Sequence, residues 1–275
     1  MVASVRRNAQ VIGCVPTMGA LHAGHVSLIE RARAECDFVI LTLFVNPTQF
    51  APTEDLAKYP RPFEADCDKC RVAGVDLLFH PDASAMYLPG HSTFVEVEGL
   101  TAGLEGAIRP THFRGVTTVV AKLLNLTQSD KAYFGQKDFQ QQAVIRRMCR
   151  DLDMPTEIIT CPTLRDPDGM AMSSRNVYLS PEERASGLSL SRSLRLAHDR
   201  ILAGTNDLAA IRAEMRAEME RSGVRVDYAT LADPDSLAEL TQRQTRIVAL
   251  VAGRIGTTRL IDNMVIEEST PKRPL

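Results

Sequence analysis

The chain has 275 residues, 44% of them hydrophobic and 24% charged, enough to bury one large core or two modest ones. Its 32 Lys plus Arg nearly balance 34 Asp plus Glu, a formal net charge of −2, which argues against a general nucleic-acid or anionic-membrane binder. No signal-peptide core follows MVASVRRNAQ and no run of roughly 18 apolar residues marks a membrane span, so cytoplasmic residence is the default expectation.

In chain order, VIGCV (11–15) reads as a strand and residues 25–35 as a helix, with the loop VPTMGALHAGH between them. FVILTLFV (38–45) is almost wholly apolar, as a strand buried on both faces of a parallel sheet should be. A helix is expected over 62–73, then the strand VDLLF (75–79), a helix over 115–126, the strand KAYF (131–134), a helix over 138–152 and the strand TEIITC (156–161). This alternation predicts a Rossmann-like α/β domain with a doubly wound parallel sheet. Cys67 and Cys70 form a lone C-x-x-C on the 62–73 helix. A zinc ribbon needs a second pair and a redox motif should follow a strand, so free thiols are expected throughout.

From about residue 162 the texture changes. Helices over 181–203 and 206–222 precede strand-like runs at 224–232, 246–254 and 257–266, a smaller C-terminal α+β domain. Asp207 or Thr205 is suited to cap the second of these helices, and Gly223 to end it. The expected division is 1–162 and 163–275.

Four loops carry candidate chemistry. In the first, His22 and His25 sit three apart at a strand-to-helix turn, and Gly19 and Gly24 allow backbone amides to approach a ligand. Phosphate chemistry, an ordinary helix start and a metal site all remain open there, although no third ligand is close in sequence. In VNPTQF (45–50), Asn46 has a turn-making explanation and Gln49 has none. GQKD (135–138) again links a strand to a helix. Lys137 suits phosphate, while Asp138 and Gln141 have the spacing of a capping box, which would make Gln141 structural. In RDPDGMAMSSRN (165–176), Ser173, Ser174 and Arg175 offer two hydroxyls and a guanidinium to an anion.

Together, PTMGALHAGH (16–25), FVNPTQF (44–50), YPR (59–61), HFRGV (112–116), YFGQKDFQQ (133–141) and MSSRN (172–176) resemble the pantoate–β-alanine ligase family within the H-x-G-H nucleotidyltransferase superfamily. The resemblance implies an ATP- and Mg2+-dependent ligase that joins pantoate to β-alanine through pantoyl adenylate, releasing pyrophosphate and then AMP. It implies nucleotide contacts from Met18, Gly19, Ala20, Leu21, His22, Ala23, Gly24 and His25, and from Gly135, Gln136, Lys137 and Asp138. Leu164, Met172, Ser173, Ser174 and Arg175 complete the implied ATP set. His22, His25, Lys137, Ser173, Ser174 and Arg175 are the implied catalytic group, with Gln49 and Gln141 on pantoate and Gln49 also reaching β-alanine. No metal ligand is assigned, although acidic residues such as Asp66 are candidates. A homodimer, a hinge near 162 and a site between the two domains are implied as well.

The chain departs from the family pattern at Gln136, where glutamate is usual, and at Thr111, where glycine is usual. The stretch ahead of VIGCVPTMG is shorter than the family's leading helix. Three rivals are an adenylyl- or cytidylyltransferase that leaves the nucleotide on its product, a nucleotide sensor without catalysis, and a small class I aminoacyl-tRNA synthetase. Gln49 and Gln141 disfavour the first, and the missing basic bias and anticodon module disfavour the last.

Overall fold

The computed structural model describes residues 11–51 and 56–267. The segment ahead of Val11, where a leading helix is usual in the family pattern, lies outside the described residues. The chain divides between Leu164 and Arg165 into two compact units.

The first unit holds strands β1 (Ile12–Thr17), β2 (Phe38–Leu43), β3 (Leu77–Phe79), β4 (Lys131–Gly135) and β5 (Glu157–Cys161). They form one sheet in the order β3-β2-β1-β4-β5, with every pair parallel. Its helices are α1 (Ala23–Glu35), α2 (Phe63–Val72), α3 (Ala83–Met86), α4 (Glu105–Ile108), α5 (His112–Thr127) and α6 (Phe139–Asp151). Successive strand side chains point to opposite faces, and both faces are covered. Ala132 and Phe134 of β4 join a core with Val116, Val120, Leu124, Ile145 and Met148 from α5 and α6. Tyr133, between them, joins a second core with Leu28, Ile29, Ala32 and Cys70 from α1 and α2. This is the doubly wound arrangement expected from the apolar strands.

The pairing of β1 is unequal. It runs beside β2 from Ile12↔Phe38 to Thr17↔Leu43, but beside β4 only at Gly13↔Lys131 and Cys14↔Ala132. Beyond those two pairs the carboxyl ends of β1 and β4 diverge, at the point where strand order reverses. Open α/β sheets take ligands at this place.

In the second unit, α7 (Pro181–Leu202) and α8 (Leu208–Arg221) cover a three-stranded antiparallel sheet of β6 (Arg225–Ala232), β7 (Arg246–Ile255) and β8 (Thr258–Glu267). Leu190, Leu194, Ile211, Met215, Ile247, Val251 and Leu260 form its core. Asp207 caps α8 by accepting the Ala210 amide at 2.9 Å, and Gly223, at φ +80°, follows the helix end.

One local expectation fails, and two short helices were not expected. Asp138 precedes α6 without a side-chain capping bond, because residues 136–138 turn as a single 3-10 helix. The structural explanation for Gln141 falls with it. The short helices α3 and α4 had no sequence signal, since four residues are too few to show periodicity.

Candidate active site

The loop after β1 is held from behind by a carboxylate. Gly19 and Ala20 both adopt left-handed backbone, at φ +85° and +52°. Two successive amides converge on one carboxylate: Ala20 N donates to Asp66 Oδ2 and Leu21 N to Asp66 Oδ1, both at 2.8 Å. A Cβ on Gly19 would lie 3.0 Å from the same carboxylate and 3.2 Å from Leu43, so a side chain here would be tightly placed as well as strained in φ. The Ala20 and Leu21 amides therefore face Asp66. Gly24 likewise donates its N–H inward, to His22.

The two histidines cap α1 reciprocally. His22 is the N-cap residue, and its Nδ1 accepts the Gly24 amide at 3.1 Å, while His25 Nδ1 accepts the His22 amide at 3.3 Å. An Nδ1 that accepts a backbone N–H carries no proton, so each neutral ring holds its proton on Nε2, on the side away from the helix backbone. The ring centroids are 4.1 Å apart. Desolvation, reinforced by His22, Lys137 and Lys69 and opposed by Asp138, pushes the His25 pKa down to about 3. At neutral pH it is an uncharged hydrogen-bond donor. The helix-start reading is met through the Nδ1 atoms, and Nε2 is the nitrogen on the other side of each ring.

Gln49 sits beside this loop. It is buried, its Nε2 donates to Met18 Sδ at 3.0 Å, and its Oε1 accepts from Asn46 Nδ2 at 3.1 Å. A thioether is a weak acceptor, so this donor is readily exchanged for a stronger partner. Asn46 is fully used by the fold: its Oδ1 accepts from Thr48 and from Tyr87, and its Nδ2 also donates to the Gly115 carbonyl. The HFRG segment carries the turn. His112 Nδ1 lies 2.9 Å from the Gln49 carbonyl, and Gly115 lets α5 approach the Thr48–Gln49 backbone.

At the end of β4, Gly135 needs no glycine for its own conformation, having φ −74°, and a Cβ there would meet nothing within 4 Å. The space above it is open. Lys137 Nζ lies 3.8 Å from Asp138 Oδ1, and the charges of both reach His25. Three successive glutamines on α6 differ sharply. Gln140 ties down the Leu100 and Gly103 carbonyls and the Glu105 amide, and Gln142 accepts from Arg146 and Thr160. Gln141, between them, is only half-buried.

Met18–His25, Gln49 and Lys137–Asp138 are therefore neighbours in the first unit, and Gln141 lies in the first turn of α6 after them. Leu164, 40% exposed, is that unit's last residue. Met172–Arg175 belong to the second unit. There Arg165 holds Asp262 through two bonds of 2.7 and 3.0 Å, and Arg184 holds Asp166 and Asp168, which anchors the preceding turn. Ser173 starts a 3-10 helix by accepting the Arg175 amide at 3.3 Å, and Ser174 and Arg175 follow it.

All six cysteines are free, and burial pushes Cys14 up to about 12 and Cys70 to about 11. Such thiols are not nucleophiles at neutral pH. Among the described residues no group of three or more His, Cys, Asp or Glu is arranged to hold a metal ion.

A sequence model described as pantoate–β-alanine ligase matches residues 1–265. The chain belongs to the pantoate–β-alanine ligase family. It is 56% identical to the pantothenate synthetase of Roseiflexus sp. (strain RS-1) over 93% of this chain and 92% of that one. Its fold superposes on the crystal structure of pantothenate synthetase from Thermus thermophilus with a TM-score of 0.91, at 46% identity and covering 96% and 97% of the two chains. The pantoate–β-alanine ligase from Francisella tularensis, crystallised with β-γ ATP and β-alanine, gives a TM-score of 0.79 at 35% identity over 96% and 94%.

Within this ligase fold, sequence reasoning left Asp66 as a possible cation ligand and overlooked Lys69, His112 and Gly115 as supports of the site. One signal was available. The buried positions of α2 are Asp66 and Cys70, an i, i+4 stripe, and a carboxylate on such a stripe requires buried partners.

Proposed function

We propose that this chain condenses pantoate with β-alanine at the expense of ATP in two steps. A pantoate carboxylate oxygen attacks the α-phosphorus, the bond from that phosphorus to the bridging oxygen breaks, and pyrophosphate leaves. The β-alanine amine then attacks the acyl carbon of pantoyl adenylate. The acyl carbon–oxygen bond breaks, AMP leaves with the electron pair, and the amine gives up a proton to solvent. No enzyme nucleophile is needed, so the work is positioning and stabilisation of charge.

The observation that carries this reading is the pair of imidazoles whose Nδ1 atoms are used in capping. Their Nε2–H groups are preorganised donors for phosphate oxygens where negative charge spreads, with Lys137 adding a point charge. His25 acts here as a neutral donor rather than as an imidazolium acid. Met18–His25 and Gly135–Asp138 are assigned to the nucleotide, and the open space over Gly135 supports that assignment. Gln49 and Gln141 are assigned to pantoate, Gln49 also to β-alanine. The weak thioether partner of Gln49 supports its exchange onto substrate. Leu164 is assigned to adenine through its backbone, and Met172, Ser173, Ser174 and Arg175 to closure over the triphosphate. In this reading residues 1–162 bind ATP and pantoate, 163–275 act as a lid, and the hinge is near 162.

Magnesium is proposed to enter with ATP, held chiefly by phosphate oxygens and water, since among the described residues no group of three or more His, Cys, Asp or Glu is arranged to hold it. A cytoplasmic homodimer completes the proposal, supported by the family resemblance; among the described residues no helix is long and apolar enough to cross a membrane. The test is AMP release with pantoate and β-alanine each omitted in turn. AMP should require both, and a stable nucleotidylated product formed without AMP would overturn the ligase reading.

A further inference from the structure

Asp66 and Lys69 lie one turn apart on α2, and neither is assigned to a substrate. Two consecutive left-handed residues aim the Ala20 and Leu21 N–H groups into a shared concavity of the kind that binds anions. Here the anion is built in. The Asp66 carboxylate, 1% exposed, fills it with one oxygen per amide, and Lys69 Nζ donates to the Leu21 carbonyl on the far side of the same peptide segment. His22, the next residue, starts the reciprocal cap that leaves both Nε2 atoms as donors.

We propose that Asp66 is a positioning residue for the adenylation step: with Lys69 it clamps the Gly19–Leu21 turn so that His22 and His25 present their Nε2–H groups together, and it does not ligate the cation. This rests on the reading of the loop as the nucleotide's seat. Two of the Asp66 lone pairs already accept 2.8 Å amide bonds and the side chain is 1% exposed, so a cation could reach the remaining ones only by opening the packing around the turn. A carboxylate fits this role better than its amide, because asparagine offers one oxygen and would turn an NH2 toward the second N–H.

The test is Asp66→Asn. Its kcat for pyrophosphate release should fall at least tenfold, with the pantoate KM changing less than twofold. Imidazole 15N spectra recorded without nucleotide give an independent readout. In the wild type, His25 should hold its Nε2–H form down to about pH 3, chiefly because it is buried, with His22, Lys137 and Lys69 lowering it further and Asp138 opposing them. In the variant it should titrate closer to the ordinary histidine value of about 6.5. Binding of Mn2+ with ATP, followed by electron paramagnetic resonance, should change less than twofold. Wild-type kcat and imidazole spectra in a folded variant would overturn the proposal. So would loss of Mn2+ binding with unchanged spectra, which would make Asp66 a cation ligand.

If Asp66→Asn does not fold, Lys69→Met carries the same test. It should lower kcat at least threefold with the pantoate KM changing less than twofold, and an unchanged kcat would refute the clamp. The spectra need no nucleotide, so failure of the ligase reading would show separately, as absent AMP release with the clamp intact.

Discussion

Replacing Gly115 by alanine should damage both stability and pantoate binding, through backbone contact alone. A Cβ built there lies 2.4 Å from the Thr48 carbonyl oxygen, 2.6 Å from its carbon and 2.7 Å from Gln49 Cα, where ordinary contact begins at 3.4 Å. The helix and the turn must therefore separate by about 1 Å, and neither side is a flexible side chain that could swing away. The Asn46 Nδ2 bond to the Gly115 carbonyl and the His112 bond to the Gln49 carbonyl would both stretch. Overpacking of this kind costs about 1–3 kcal/mol. At the middle of that range, a unit of this size should lose about 4–8 °C in Tm. Gln49 moves with the turn, and a displacement of about 1 Å in a substrate-holding group can cost up to about a hundredfold. Scanning calorimetry should show the lower Tm, and AMP release at varied pantoate should show a KM raised at least tenfold while the ATP KM changes less. A Tm within one degree of wild type (about 1 °C), together with an unchanged pantoate KM, would show that Gly115 does not set the position of Gln49.

Three further outcomes are expected. Gln49→Ala should raise the pantoate KM by about tenfold or more, the scale of a buried hydrogen bond to a charged group, and leave the ATP KM nearly unchanged; an unaltered pantoate dependence counts against the assignment. Gly135→Ala should leave Tm within about 1 °C, since the fold has room for the methyl, while the ATP KM rises; equal ATP affinity would show that no ligand uses that space. For His25, the folded pKa of about 3 lies below the unfolded value of about 6.5, so between them the unfolded chain holds the extra proton. Its stabilising contribution is complete above about pH 6.5 and declines toward pH 3, by up to about 1.4 kcal/mol per pH unit. His25→Gln should flatten the denaturant-measured slope across that window, and an identical slope would refute the depressed pKa.

Several features of this protein were legible in the residues themselves. Alternation of apolar strands with helices required a sheet buried on both faces, and Ala132, Tyr133 and Phe134 divide between the two cores as period-2 geometry demands. The H-x-G-H loop, VNPTQF and GQKD were visible as strand-to-helix turns, because glycine and polar residues interrupt apolar periodicity there. The family could be named from those segments in order.

What each polar group does within those turns was decided only by tertiary structure. Spacing suggested that Asp138 capped α6, yet Asp138 makes no side-chain capping bond, and nothing local foretold that a carboxylate 45 residues away in sequence from Leu21 accepts the Ala20 and Leu21 amides. QQQ at 140–142 is uniform as sequence, yet two of the three glutamines are bound by carbonyls, amides and side chains from elsewhere in the chain. The same holds for His22 and His25, whose residue type signals donors but whose protonated nitrogen depends on which backbone N–H each ring accepts. The physical reason is range. Periodicity and turn chemistry act over a few residues, whereas hydrogen-bond saturation of a buried group depends on whatever the fold brings beside it.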